Sequence, residues 1–173
     1  EGADVVLCGR ASDCAIFAAP LLNAGVDKAT AYYAGKLLEC ASFCAEPYMG
    51  KESVLGSVVP GKTAVDIFPL HPGQRCTPRS IAGHAMYERS DPYFEHVAGG
   101  CVNMSNTDYE QLPDGRTCRA DGALWQKDQA IRVKIEGAGV VGPRRLSLIG
   151  LTDPYSIAHV DQMMAWARQK LVD

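Results

Sequence analysis

The amino-acid sequence predicts an α/β to α+β protein, with a partly parallel sheet and flanking helices, followed by antiparallel or mixed strands in the second half. Residues 1–96 alternate short apolar runs with segments of helical periodicity, which is typical of α/β proteins. Residues 97–151 show short segments of period two between glycines and prolines, and such half-solvated strands favour an antiparallel or mixed sheet. We therefore expect a single domain over residues 1–173, with an α/β part over 1–96 and antiparallel strands plus a C-terminal helix over 97–173.

The first expected element is a strand over residues 4–8, an apolar run that ends in a glycine. A helix over residues 14–19 follows. Ser12 or Asp13 is its expected N-cap, because either side chain can accept a hydrogen bond from an amide of the first turn. Pro20 is expected to kink or shorten this helix, because proline lacks the amide hydrogen that a helix interior needs.

A second helix begins after Asp27 and is expected to end near Ala45, because the residue before Pro47 is pushed out of the helical region. One face of this helix is apolar and carries Tyr33, Leu37, Cys40 and Cys44. Residues 48–62 contain three glycines and a proline, which predicts a long connection. Loops of this length inside a domain are often functional.

Residues 65–68 alternate like a strand. Thr77 and Pro78 have the form of an N-cap followed by proline at the first helical position, which predicts a helix through about Arg89.

The strands of the second half are expected at residues 117–120, 131–135 and 146–148, where apolar and polar residues alternate. Asp153 and Pro154 open a last amphipathic helix, whose apolar residues Ile157, Val160, Met164 and Leu171 are expected to face inward.

The composition excludes several classes of protein. Seventeen Lys and Arg against twenty Asp and Glu give a net charge of −3, without the basic footprint that nucleic-acid binding leaves. No stretch approaches the ~18 consecutive apolar residues of a membrane-spanning helix. We therefore expect neither nucleic acid nor a membrane as a partner.

The cysteines favour a cytoplasmic protein with reduced thiols. The chain contains seven cysteines, an odd number, and no two of them form a C-x-x-C pair. An oxidising compartment, with six cysteines paired and one free, stays open as the alternative. The chain starts without methionine and enters an apolar segment at once, so we expect a fragment of a longer chain or a processed subunit.

The first candidate binding residues are Arg10 and Asp13, which lie where the first strand passes into the first helix. Ligands of open α/β sheets gather at the carboxyl ends of strands, where helix amides also favour anions. The G-x-G-x-x-G fingerprint of dinucleotide sites is absent from this segment. The alternative is that Asp13 only caps the helix and Arg10 pairs with it.

The second candidate is the segment 75–80, which places two guanidiniums and two hydroxyls around a predicted helix N-terminus. Arg75, Thr77, Arg79 and Ser80 suit an anionic substrate, because arginine offers a planar fork to a carboxylate or phosphate and the helix end adds partial positive charge. The same field is expected to lower the pKa of Cys76, which makes this cysteine a candidate nucleophile.

His84 and Glu88 are the candidate acid and base, because a spacing of four residues brings two side chains together on a helix. The alternative is a capped surface helix with a satisfied histidine. His71, Cys76 and His84 have no strong zinc spacing. We predict neither a metal nor another cofactor.

The third candidate is Lys134 with Glu136, which point to one face of a predicted strand that ends in glycines. Such glycines allow a ligand to approach the backbone closely, or they form a plain turn. The spacing does not choose between these alternatives.

A series of segments then points to a known family. In order they are ADVVLCGR from Ala3, LLEC from Leu37, AEP from Ala45, GKESVLG from Gly50, RCTP from Arg75, SIAGHAMYER from Ser80 and VKIEGA from Val133. This series resembles the acyclic terpene utilisation protein A-like family over nearly the whole chain. Three positions depart from the family pattern, with Cys8 in place of a threonine, Lys36 in place of a histidine and Ala45-Glu46-Pro47 in place of a glycine-rich stretch.

The resemblance implies a C-terminal portion of the family's core domain, because members are considerably longer. It also implies a role in bacterial catabolism of branched and acyclic acids, in a pathway whose intermediates are acyl-CoA thioesters. No catalytic residues carry over from the family.

Residues and resemblance together suggest an enzyme of acyl or carboxylate catabolism, a hydrolase or lyase that acts on a small anionic acyl substrate such as a CoA thioester. In this hypothesis the arginines hold the anion, His84 with Glu88 supplies acid and base catalysis, and Cys76 is the nucleophile. The alternative is a noncatalytic module that binds an acyl ligand or a partner subunit, either as a homo-oligomer or with an N-terminal partner region.

Overall fold

The computed structural model describes the chain except for residues 1, 6, 8, 10, 51, 59–60, 90, 131–136 and 173. The contacts divide it into two units, Glu1–Lys134 and Ile135–Asp173. The helices of the first unit are α1 (Ala15–Asn23), α2 (Lys28–Leu38), a 3-10 helix (Ala41–Cys44) and α3 (Pro78–Ala85). Its strands are β1 (Ala45–Glu46), β2 (Val54–Val58), β3 (Val65–Pro69), β4 (Arg75–Cys76), β5 (Phe94–Val97), β6 (Gly100–Asn103), β7 (Asp108–Gln111), β8 (Cys118–Asp121) and β9 (Leu124–Lys127).

The described strands form three sheets, ordered β1-β4, β2-β3-β8-β7 and β5-β6-β9, and every strand pair is antiparallel. The predicted fold class, with its partly parallel sheet, is therefore wrong. The connections explain why. Parallel neighbours need a crossover of a dozen or more residues, whereas β5 joins β6 through residues 98–99 alone and β2 joins β3 through residues 59–64.

The strand predicted at residues 4–8 is absent from the part of this segment that the structure describes. Val6 and Cys8 lie outside the described residues, and Asp4, Val5 and Leu7 are not in a strand. Because the expected parallel pairing depends on a strand here, the described residues of this segment give the α/β prediction no support.

The first two helices differ from their predicted forms at their ends. The N-cap of α1 is Cys14, without a side-chain hydrogen bond, rather than Ser12 or Asp13, and α1 continues through Pro20. The second helix starts after Asp27 as predicted, and the Asp27 carboxylate accepts a hydrogen bond from the amide of Thr30 at 3.1 Å.

The end of α2 is earlier than the sequence predicts. The helix stops at Leu38, and Cys40 follows in the left-handed region with φ 46°. Cys40 is therefore exposed rather than part of the apolar stripe, whereas Tyr33, Leu37 and Cys44 are buried as expected.

Residues 48–62 contain a strand that the sequence analysis missed. Within this segment, β2 pairs with β3 in a register that runs from Val54 opposite Pro69 to Val58 opposite Val65. The β3 strand itself confirms the prediction at residues 65–68. The proposed functional loop is therefore partly a hairpin.

The core of the first unit is organised around α2, which contacts strands of both larger sheets as well as α1 and α3. Tyr33 and Leu37 of α2 share one apolar cluster with Ile67 of β3, Val102 of β6 and Ile81 of α3. Gly35 marks the crossing of α1 and α2, because a Cβ atom at this position would lie 2.5 Å from the carbonyl oxygen of Cys14.

The second unit holds two helices, α4 (Pro154–Ala158) and α5 (Val160–Val172). Asp153 caps α4 by accepting a hydrogen bond from the amide of Ser156 at 2.7 Å, which confirms the predicted helix start. The strand predicted at residues 146–148 does not form, and the one predicted at 131–135 lies outside the described residues. The apolar side chains expected to face inward are exposed: Ile157, Val160, Met164 and Leu171.

Among the described residues, no helix has the length and apolar character that a bilayer crossing requires.

Candidate functional site

The N-terminus of α3 is built as the sequence predicts, with Thr77 as its cap and Pro78 at the first helical position. The Thr77 hydroxyl accepts a hydrogen bond from the amide of Ser80 at 3.1 Å, and the Ser80 hydroxyl accepts one from the amide of Thr77 at 2.9 Å. Ser80 also donates to the carbonyl oxygen of Cys44 at 2.6 Å, which ties α3 to the 3-10 helix. These hydrogen bonds show that the two hydroxyls stabilise the start of α3. Contact of either hydroxyl with a substrate remains a prediction.

The environment of Cys76 contradicts the expected activation of its thiol. Cys76 is fully buried in the core cluster, opposite Ala45 in the short β1-β4 pair. Burial, together with the neighbouring Cys118, raises the pKa of Cys76 to about 12. The predicted lowering of its pKa is therefore wrong, because loss of hydration outweighs the positive field near the helix end. At neutral pH this cysteine is a thiol rather than a thiolate.

His84 is held in one tautomer by the backbone. Its side chain is buried, and Nε2 lies 2.7 Å from the carbonyl oxygen of Glu39. A carbonyl only accepts, so Nε2 carries the hydrogen and donates it, which leaves the lone pair of the neutral ring on Nδ1. Nδ1 is buried and has no hydrogen-bond partner within the described ranges. Burial also lowers the pKa of His84, which favours the neutral ring.

Glu88 does not orient His84. The helix ends at Ala85 rather than near Arg89, and Glu88 adopts a left-handed conformation with φ 59°. Side chains four residues apart meet only while the helix continues through both. Glu88 is exposed and forms a hydrogen bond with Tyr87 that raises the pKa of the tyrosine. The predicted His84–Glu88 pair is therefore wrong, and the carbonyl of Glu39 takes the orienting role.

Aromatic side chains surround the exposed side of α3. The Phe43 ring lies 5.1 Å from Tyr87, 5.2 Å from Tyr48 and 6.1 Å from His84, measured between centroids. Phe43 and Tyr87 keep 42% and 38% of their surface exposed. They therefore offer an apolar and planar wall that a ligand can cover.

This wall lines a cavity of about 380 Å3, called the aromatic cavity below, which is bounded by Phe43, Glu46, Arg79, Ser80, Gly83, His84 and Tyr87. Arg79 is exposed, and no ion pair of Arg79 is recorded in the part of the chain that the structure describes. The structure thus brings together three predicted site residues, Arg79, Ser80 and His84. A positive group, an apolar wall and a neutral histidine meet in one place.

Arg75 lies beside this cavity. Its Nε is 3.4 Å from a carboxylate oxygen of Glu46, and its side chain is 64% exposed. A neighbouring cavity of about 670 Å3, called the basic cavity below, is lined by Glu46, Pro47, Pro72, Gly73, Gln74, Arg75, Arg79, Gly115 and Arg116. Glu46 and Arg79 line both cavities and therefore stand between them.

Four predicted site residues remain, and Asp13 is the one among them that the structure describes. Arg10, Lys134 and Glu136 lie outside the described residues, so the expected convergence of Arg10 with Arg75 stays a prediction. Asp13 is exposed and lines a different cavity, at the start of α1, beside Cys40.

The sequence analysis missed a set of buried charges near His84. The Lys36 ammonium lies 2.5 Å from a Glu39 carboxylate oxygen, and the two side chains are 3% and 13% exposed. The same ammonium sits 5.9 Å from the centre of the Tyr87 ring. The signal was present in the sequence, because Lys36 and Glu39 are opposite charges three residues apart, next to the apolar stripe of α2.

Arg89 and Glu95 form a second missed ion pair. Their side chains approach to 2.8 Å and are 4% and 18% exposed. No group of three or more potential metal ligands is found among the residues that the structure describes.

Comparison with known proteins assigns the sequence to a family. The family model for the acyclic terpene utilisation family protein AtuA matches residues 1–172. A search of curated proteins found no match, and neither did a search of solved structures. Since the match extends over nearly all of the sequence, the chain belongs to the acyclic terpene utilisation family of AtuA.

Proposed function

We propose that this chain binds a small anionic acyl compound in the aromatic cavity and acts on it as a hydrolase or lyase of acyl catabolism. The observation that carries the proposal is the meeting of Arg79, a half-exposed aromatic wall and a neutral His84 in one cavity. A guanidinium binds carboxylate or phosphate oxygens, and the rings of Phe43 and Tyr87 cover an acyl chain. The family assignment supports a substrate from the utilisation of acyclic terpenes. We propose that this substrate is a free acid or a CoA thioester.

His84 is the proposed general base. Because Nε2 donates to the carbonyl of Glu39, Nδ1 is the atom that takes a proton from the substrate or from water. Nδ1 is buried, so the substrate reaches it only when a neighbouring side chain moves. Phe43 and Tyr87 are the side chains we expect to move, because both are half-exposed and lie about 6 Å from the imidazole.

The proposed chemistry does not use a cysteine nucleophile, because Cys76 is a buried thiol with a raised pKa. A base without a nucleophile suits elimination from the acyl compound or direct attack by water. We therefore place His84 and Arg79 in the reaction and leave Cys76 in the core.

The proposal is tested by screening the full chain for ligands that raise its melting temperature, using CoA thioesters and short mono- and dicarboxylates. A ligand that binds only the folded protein raises this temperature. Arg79→Gln is expected to remove the shift. His84→Gln is expected to keep the shift and to abolish turnover of the bound compound, and His96→Gln, at an exposed histidine of β5, serves as the matched control.

The result that would contradict the proposal is an unchanged shift in Arg79→Gln, or equal turnover in His84→Gln and His96→Gln. Either outcome would show that the aromatic cavity is not the site of the proposed activity.

The second candidate function is a noncatalytic module that binds an acyl ligand or a partner subunit. It is favoured by the absence, among the described residues, of a carboxylate hydrogen-bonded to His84, and by the burial of the Cys76 thiol. Ligand binding by wild type and His84→Gln without any turnover would support this candidate. Size-exclusion chromatography of the chain tests the partner role, including a homo-oligomer and an N-terminal partner region.

We also infer a cytoplasmic location. Five cysteines, at positions 14, 40, 44, 76 and 118, are free thiols, which suits a reducing compartment. Alkylation during denaturing lysis of the cells, followed by mass spectrometry, tests this inference, because unfolding exposes the buried thiols and only cysteines that are already oxidised then fail to react.

A further inference from the structure

The basic cavity carries a positive charge that its own residues do not neutralise. It contains the guanidiniums of Arg75, Arg79 and Arg116 and one carboxylate, that of Glu46. Glu46 lies 3.4 Å from Arg75. An excess of guanidinium over carboxylate in a concave surface favours an anionic ligand.

The three arginines are not equivalent. Arg116 donates from Nε to the carbonyl of Gln74 at 3.0 Å and from Nη2 to the carbonyl of His71 at 2.7 Å, so the donors of these two nitrogens serve the fold. Arg75 is 64% exposed, and Arg79 is exposed as well. Arg75 and Arg79 therefore have donors to offer a ligand, while Arg116 contributes a fixed charge.

Gln74 adds an observation that points to a ligand independently of charge. Its side chain is 2% exposed, and its Nε2 donates to the carbonyl of Pro47 at 2.8 Å, which fixes the orientation of the amide. Its Oε1 is buried and has no hydrogen-bond partner among the described residues, so a ligand reaches it, as it reaches Nδ1 of His84, only when a neighbouring side chain moves. A buried acceptor without a donor costs free energy, which a ligand with a hydroxyl or amide N–H would recover.

We propose that the basic cavity is the subsite for the oxyanion end of the ligand, and that this end carries a hydroxyl or amide N–H which donates to Gln74 Oε1. The acyl chain then extends past Arg79 into the aromatic cavity, because Arg79 and Glu46 line both cavities. This inference rests on the proposed function and specifies its substrate class as an elongated, amphipathic acid with a donor group near its charge.

The test uses isothermal titration calorimetry on the full chain with four probes of equal chain length: octanol, octanoate, 2-hydroxyoctanoate and octyl phosphate. Octanoate and octyl phosphate distinguish a carboxylate from a phosphate as the preferred oxyanion, and tighter binding of either than of octanol supports the subsite. The 2-hydroxy acid tests the donor, and we expect it to bind about fivefold more tightly than octanoate through one added hydrogen bond.

Two variants and one control assign the effect to the cavity. Arg75→Gln is expected to weaken the anionic probes about tenfold and to leave octanol unchanged. Gln74→Met is expected to remove the preference for 2-hydroxyoctanoate while octanoate binds as before. Arg119→Gln is the matched control, because Arg119 pairs with Asp66 and lines a different cavity.

The inference is overturned if Arg75→Gln and Arg119→Gln affect the anions equally, or if the hydroxyl preference persists in Gln74→Met. Should Gln74→Met fail to fold, the wild-type chain tests the donor, because equal affinity for octanoate and 2-hydroxyoctanoate overturns it. Arg75→Gln then tests the oxyanion subsite, because Arg75 is mostly exposed. Failure of this subsite inference is distinguishable from failure of the proposed function. In the first case the probes still bind and Arg79→Gln still weakens them, whereas in the second the wild-type chain binds none of them.

Discussion

Replacing Lys36 with methionine is expected to destabilise the first unit, because it leaves the Glu39 carboxylate buried without its cation. The Lys36 side chain is 3% exposed and lies 2.5 Å from Glu39, whose side chain is 13% exposed. Removing one partner of a buried pair costs about 3–5 kcal/mol, and the slight exposure of Glu39 places the expected loss at the lower end, about 3 kcal/mol. Loss of the contact with the Tyr87 ring adds up to about 0.5 kcal/mol.

The double variant Lys36→Met/Glu39→Gln provides the decisive comparison. Replacing both charges avoids the unpaired carboxylate, so its free energy of unfolding is expected within about 1–2 kcal/mol of wild type. The assay is urea unfolding of the full chain followed by circular dichroism, with Arg119→Met as the control at the more exposed Arg119–Asp66 pair. Lys36→Met and Glu39→Gln are also measured singly. If the double variant loses as much free energy as the sum of these two losses, the two charges do not interact and the reasoning is wrong.

Three further predictions concern other parts of the first unit. Gly35→Ala is expected to lower the free energy of unfolding by about 1–3 kcal/mol in urea melts, because its Cβ would lie 2.5 Å from the Cys14 carbonyl oxygen; an unchanged midpoint would contradict the close crossing of α1 and α2. The folded-state pKa of His84 lies below its ordinary value of 6.5, so the unfolded chain binds the proton first, and stability is expected to fall as the pH drops below about 6.5. His84→Gln should show a shallower decline in the same melts, and identical pH profiles would refute this assignment. In the native protein, iodoacetamide is expected to label the exposed Cys40 and spare the buried Cys76, whose pKa is raised to about 12; mass spectrometry that finds Cys76 labelled first would contradict its burial.

Helix starts were predictable from the sequence because a cap is a local interaction. Asp27, Thr77 and Asp153 each accept a hydrogen bond from an amide three residues later, and all three helices begin where the sequence predicts. The exception is α1, where Ser12 and Asp13 do not cap. Two suitable residues precede that helix, and the sequence alone does not show whether either is used.

Strand pairing was not predictable in the same way. The apolar pattern of β3 is visible at residues 65–68, but its partners are β2 and β8, and the second of these lies about fifty residues away along the chain. Pairing over such distances depends on tertiary packing rather than on local periodicity. The parallel sheet is predicted from an alternation of strands and helices that begins at residues 4–8. The described residues of this segment do not form a strand.

In the candidate site, too, the local features were predictable from the sequence and the features that depend on tertiary packing were not. The cap and the two arginines of segment 75–80 could be predicted, because they are local to the start of α3. The pKa of Cys76 could not, because it is set by burial against other elements. The aromatic wall was missed because the left-handed turn at Cys40, rather than a continued α2, brings Phe43 to α3.

The most direct test of the central claim is a titration of the 15N-labelled chain with octanoate, followed through the side-chain nitrogens of His84 and Arg79. Before ligand is added, Nε2 of His84 should be protonated and Nδ1 bare, as its bond to the Glu39 carbonyl requires. We predict that octanoate shifts the signals of Nδ1 and of the Arg79 guanidinium together, with one dissociation constant. The account is contradicted if octanoate binds and shifts other signals while those of His84 and Arg79 stay unchanged.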